Sequence, residues 1–117
     1  MKTVLAALAV AASLAISSAA FGSSSATTLN GTVGPGFTIS LKMGGKTVKS
    51  LKAGTYKFKV ADKSNAHNFA LKGAMSKTLT SVSFMGSKTV TIKLKKGKYT
   101  YYCQPHASSM KGSFTVK

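Results

Sequence analysis

The sequence predicts an all-β domain, a sandwich of about seven to eight short antiparallel strands. Three observations point there. Apolar residues recur with period two along most of the chain, glycine-bearing turns separate the runs, and no stretch beyond the N-terminus forms a convincing helix.

The elements follow in order. Leu29–Val33 is a candidate first strand. Phe37, Ile39, Leu41 and Met43 then alternate with Thr38, Ser40 and Lys42. Tyr56, Phe58 and Val60 alternate with Lys57, Lys59 and Ala61, and Val82–Met85 is a further candidate. Val90, Ile92 and Leu94 alternate with Thr91, Lys93 and Lys95. Tyr99, Tyr101 and Cys103 share one face, and Phe114 and Val116 close the series. Each run reads as a half-buried strand with its polar side in water. Gly34-Pro35-Gly36, Gly44-Gly45, Ala53-Gly54, Gly73, Gly86, Lys96-Gly97-Lys98 and Gly112 mark the turns. Outward lysines also discourage edge-to-edge pairing of such strands.

The N-terminus is different. Met1-Lys2 precedes an apolar run from Val4 to Ile16 that only Ser13 interrupts, and Ser18-Ala19-Ala20 follows. A positive start, a short apolar stretch and small residues form a secretory signal peptide, cleaved after Ala20. A membrane anchor would want about 20 apolar residues, and this run is shorter. The expected organisation is a signal peptide over 1–20, a flexible Ser/Thr/Ala-rich segment over 21–28 and one domain over 29–117.

Composition excludes several chemistries. The 117 residues include 17 lysines, no arginine, one acidic residue (Asp62), one cysteine and two histidines. A single carboxylate cannot build a two-carboxylate glycosidase site or an EF-hand. A single cysteine permits no internal disulfide and no Cys₄ site. Loss of residues 1–20 removes only Lys2, leaving 16 lysines against Asp62, a formal charge of +15. Without arginine, and with the lysines dispersed, nucleic acid is a poor fit. Steering toward an acidic partner or an anionic surface fits better, and a solvated, self-repelling surface is the plain alternative.

The chemistry gathers in two places. Cys103-Gln104-Pro105-His106 is followed by Met110, and His67-Asn68-Phe69 lies upstream. By parity His67 faces with Phe69 and Leu71, and Cys103 faces with Tyr99 and Tyr101, so both project inward. In an antiparallel sandwich, one strand's start and its neighbour's end meet at the same pole. Taken singly, each residue has an ordinary explanation: a buried cysteine is a small core hydrophobe, and a methionine fills gaps. Taken together they do not. An unpaired cysteine is uncommon in an exported protein, and metal ligation would explain it. Two imidazoles, a thiolate and a weak axial thioether form the arrangement of blue copper sites.

The stretch from Gly97 to His106, with Met110-Lys111-Gly112-Ser113-Phe114-Thr115-Val116, resembles the copper-loop signature of the plastocyanin/azurin family of cupredoxins. His67-Asn68-Phe69 resembles that family's upstream ligand with its following asparagine. The resemblance implies an eight-stranded Greek-key barrel or sandwich, one type 1 copper and single-electron transfer between larger redox proteins. It implies His67, Cys103 and His106 as equatorial ligands and Met110 as the axial one. It gives Asn68 a bond across to the Cys103 loop and makes His106 the exposed exit for electrons, with Pro105 and Ala107 bordering an apolar docking patch. The Cys-x-x-His spacing is plastocyanin-like, whereas His-x-x-x-Met equals azurin's. Plastocyanin's acidic docking patch is replaced by a basic surface, so the expected partner carries an acidic one. Met75 and Met85 are expected in core or loop.

The expected function is that of an exported, monomeric one-electron carrier in the periplasm, at the cell surface or outside the cell. No acid/base pair of an enzyme is visible. A copper-delivery protein using the same ligands is the alternative. An Ig-like adhesion module is a third, for which repeats, a long linker or a wall anchor would have spoken.

Overall fold

The inward-facing residues of the alternating runs meet in one core built by two facing β-sheets. The computed structural model describes residues 26–117; the expected signal peptide and most of the 21–28 segment fall outside them. Among the described residues there are ten strands: β1 (Thr27–Val33), β2 (Ile39–Met43), β3 (Lys46–Thr47), β4 (Ser50–Leu51), β5 (Gly54–Asp62), β6 (Ala70–Gly73), β7 (Lys77–Thr78), β8 (Gly86–Leu94), β9 (Gly97–Tyr102) and β10 (Lys111–Val116). Seven of them are four residues or longer, and one 3₁₀ turn, Gln104–His106, follows β9. The first sheet runs β3-β2-β1-β5-β8 and the second β4-β10-β9-β6-β7.

Period-two burial is clearest on β5, where Tyr56, Phe58, Val60 and Asp62 are buried and Lys57 and Lys59 are exposed. Leu29, Leu41, Phe58 and Ile92 of the first sheet join Leu71, Tyr99, Tyr101, Phe114 and Val116 of the second, and Phe69 just before β6, in one cluster. The aromatic rings stack in it: Phe69 on Tyr101 at 5.8 Å and Tyr99 on Phe114 at 5.2 Å. Gly31 makes the first stack possible, because a Cβ there would lie 2.9 Å from the Phe69 ring.

Four expectations need correction. The sandwich is mixed, not antiparallel throughout: β1 pairs parallel with β5, and β4 parallel with β10. The chain passes through β4 in the opposite sheet before β5 returns alongside β1, and side-chain alternation is the same in both pairing modes. Val82–Met85 is not a strand. It forms a turn, with the Phe84 N–H on the Ser81 carbonyl at 3.1 Å, as the chain crosses from one sheet to the other. Phe37 does not face the core; it is 67% exposed, and its strand begins only at Ile39. Thr27 and Thr28 belong to β1, opposite Tyr56 and Lys57.

At one pole the ends of β1, β5 and β9 meet the starts of β2, β6, β8 and β10, as the registers Val33↔Asp62, Asp62↔Gly86, Ala70↔Tyr102 and Lys111↔Tyr102 require. Among the described residues, no helix is long and apolar enough to cross a membrane.

Candidate metal centre

Cys103 lies one residue beyond β9, in phase with Tyr99 and Tyr101, and its side chain is fully buried. The backbone then tightens. The His106 N–H donates to the Cys103 carbonyl at 3.1 Å, and Pro105 sits in the first turn of the 3₁₀ segment. The Met110 N–H donates to the His106 carbonyl at 2.8 Å, and the Cys103 N–H to the Met110 carbonyl at 3.0 Å. These bonds close residues 103–110 into a compact loop with Met110 buried at its far end. His67 arrives from the other side, on the segment between β5 and β6, and is buried too.

Both imidazoles turn Nδ1 toward the sulfur. His67 Nδ1 lies 3.7 Å and His106 Nδ1 3.6 Å from Cys103 Sγ, and the two nitrogens are 3.0 Å apart. A circle through three points with those separations has a radius of about 2 Å, the length of an imidazole–metal bond. Three lone-pair donors converging on one such point fit a metal ion, and a sulfur between two imidazoles fits a soft one.

Asn68 fastens the two halves. Its backbone N–H donates to Cys103 Sγ at 3.4 Å. Its Oδ1 accepts the Gln104 N–H at 2.8 Å, and its Nδ2 donates to Gln104 Oε1 at 2.8 Å and to the Thr80 carbonyl at 3.1 Å. Thr80 Oγ1 in turn accepts the Phe69 N–H at 2.9 Å. Such contacts orient ligands without touching the ion. Sequence reasoning missed Gln104 and Thr80, whose parts depend on partners 36 and 12 residues away.

It also missed Phe37. Its ring stands edge-on to both imidazoles, at 5.2 Å from His67 and 4.9 Å from His106. The exposed Pro105 and the half-buried His106 and Ala107 belong to the same pole. The one carboxyl of the sequence lies inside: burial pushes the pKa of Asp62 above its ordinary value, against the lowering pull of the Ser64 amide, the Thr80 hydroxyl and His67. Met75 packs against the core, while Met85 is exposed.

No curated protein matches the chain in sequence. Among solved structures, rusticyanin from Thiobacillus ferrooxidans is similar at 24% identity, covering 80% of this chain and 79% of that one, with a TM-score of 0.58. Auracyanin A, described as a "blue" copper protein from the green thermophilic photosynthetic bacterium Chloroflexus aurantiacus, is similar at 19% identity. The match covers 80% of this chain and all of that one (100%), with a TM-score of 0.56. At these identities the likeness speaks for the fold. The family is shown by sequence: residues 38–117 match the model for copper binding proteins of the plastocyanin/azurin family. That span is more than half of the chain, which belongs to the plastocyanin/azurin family of copper-binding proteins, with copper as its cofactor.

Proposed function

We propose that the protein is an exported one-electron carrier and not itself an enzyme. In this reading His67 Nδ1, Cys103 Sγ and His106 Nδ1 would hold the ion, the Met110 thioether would be a fourth, weaker ligand, and Asn68 would support the site. The observation that carries it is the convergence of three donors from two separate segments onto one point, already locked by the Asn68–Gln104 bonds. Bound copper supplies a centre that alternates between Cu(I) and Cu(II).

The chain does the rest. Two hydrogen-bonded loops hold the donors, so little rearranges when charge changes. The Asn68 amide donates to the sulfur and draws electron density from it. Phe37 packs edge-on against both imidazoles, and half-buried His106 offers the shortest way out. The apolar pole of Phe37, Pro105 and Ala107 would seat against a larger redox protein. Lysines around it would steer one with an acidic face. Residues 1–20 would serve export and be removed, with 21–26 as a short lead into the domain, whose first strand begins at Thr27. The destination is then the periplasm, the cell surface or the medium, and the carrier acts as a monomer.

Voltammetry of the copper-loaded protein tests the carrier. The expected result is a fast, reversible one-electron wave, lost in Cys103→Ser. A protein that instead hands whole Cu(I) to an apo acceptor, with no reversible wave, would be a delivery protein and would overturn this reading.

A further inference from the structure

Asp62 is the only acidic side chain in the sequence, and it lies inside, 2% exposed. It ends β5 in phase with Tyr56, Phe58 and Val60, where an apolar residue would be ordinary. Its Oδ1 accepts the Ser64 N–H at 3.2 Å, and Ser64 Oγ accepts the Ala66 N–H at 3.1 Å. These two interlocking turns fold the short connection that delivers His67. Its Oδ2 is buried and completes no hydrogen bond of good geometry, although the Thr80 hydroxyl is close enough to act on the carboxyl. A carboxylate oxygen stripped of water and left unpaired is costly, so such an atom calls for an explanation.

Thr80 supplies one. It is as deeply buried, its Oγ1 accepts the Phe69 N–H, and its carbonyl accepts Asn68 Nδ2. The hydroxyl still has a proton to give and needs an acceptor. Each of the two residues lacks what the other offers.

We propose that Asp62 is a positioning residue that braces the metal centre from behind. Oδ1 folds the loop carrying His67, and Oδ2 takes the Thr80 hydroxyl proton, fixing the residue that supports Phe69 and Asn68. Through Asn68 the brace reaches Gln104 and the Cys103 loop. One carboxylate thereby ties both ligand-bearing segments to the end of β5. The inference rests on His67 and Cys103 being ligands. It adds to that assignment a side chain that touches neither the ion nor the partner.

Amide hydrogen exchange on the metal-free protein, together with copper affinity by competition, tests the brace in Asp62→Ala, Asp62→Asn, Thr80→Val and the double variant Asp62→Ala/Thr80→Val. In Asp62→Ala, protection at Ser64, Ala66 and Phe69 should fall while β10 keeps its own. Copper affinity should fall about 10- to 100-fold, as for other residues that orient ligands. Asp62→Asn, which keeps an acceptor for Ser64 and gains a donor for Thr80, should restore most of both. Asp62→Ala should add nothing at Phe69 once Thr80 is valine. Unchanged Phe69 protection in Asp62→Ala, or additive losses in the double variant, would overturn the Asp62–Thr80 contact. Altered protection with unchanged copper affinity would overturn the positioning role. Should Asp62→Ala not fold, the shape-conserving Thr80→Val still decides: Ser64 bonds Asp62 and not Thr80, so lowered Ser64 protection there supports the contact and unchanged Ser64 protection rejects it. A wild-type chain that bound no copper would overturn the ligand assignment instead, and the exchange data, taken without metal, keep the two failures apart.

Discussion

Phe37 is a large apolar side chain that the fold leaves in water, and its two edge-on contacts with His67 and His106 give it a purpose. Truncation to alanine should leave copper binding intact, because the ring holds no donor. It should slow electron exchange with a redox partner about tenfold, the equivalent of about 1.4 kcal/mol lost from an apolar anchor. Stopped-flow kinetics of wild type against Phe37→Ala checks this, and an unchanged rate would take Phe37 out of the docking face. The sequence shows Phe37 only as one more beat of an alternating run. Nothing local says that the strand begins two residues later, since that depends on the Gly34 N–H bonding the Thr38 carbonyl and on the rings that Phe37 meets across the pole. His67, Cys103, His106 and Met110 are easier to single out, because scarce soft and imidazole donors stand out in a lysine-rich chain. Thr80 and Gln104 are common polar residues, and their parts emerge only when three distant segments pack.

At the scale of elements, the rings of β9, β10 and the β6 approach need facing strands without bulk. Gly31 on β1 meets the Phe69 ring, and Gly112 on β10 leaves the Tyr101 ring its place. Gly31→Ala should force Phe69 off its stack with Tyr101 and cost about 1–3 kcal/mol. Thermal unfolding of the metal-free protein would show it as a lowered Tm, and an unchanged Tm would mean the stack can shift freely. Strand positions were legible because burial on one face imposes period two. Pairing direction was not: alternation is identical in parallel and antiparallel ladders, so β1–β5 and β4–β10 had to be seen. Val82–Met85 has strand-like composition, but the chain turns there as it passes from β7 in one sheet to β8 in the other.

Across the whole molecule, charge is lopsided: 17 lysines and one acid, with the acid inside. Most proteins lose stability in acid because paired carboxylates must take up protons. Here the only side-chain carboxyl has the opposite bias. Burial raises the Asp62 pKa above its ordinary 3.8, so the folded chain binds that proton more tightly than the unfolded one. Below 3.8 both forms hold the proton and its full contribution to stability is present. As pH climbs from there through the raised value, the unfolded chain ionises first and the contribution is lost. Denaturation of the metal-free protein over a pH series should therefore show wild type losing stability, relative to Asp62→Asn, as pH rises through that window. A relative gain would mean the carboxylate is better stabilised folded than free, contrary to the burial that raises its pKa.

The central claim is that His67, Cys103 and His106 bind one copper through two nitrogens and a thiolate. The visible absorption spectrum of the purified protein on titration with Cu(II) tests it most directly. An intense blue thiolate-to-copper band saturating at one ion per chain, and absent in Cys103→Ser, is the predicted result. A colourless protein at full titration, or a band that survives loss of the sulfur, would contradict it.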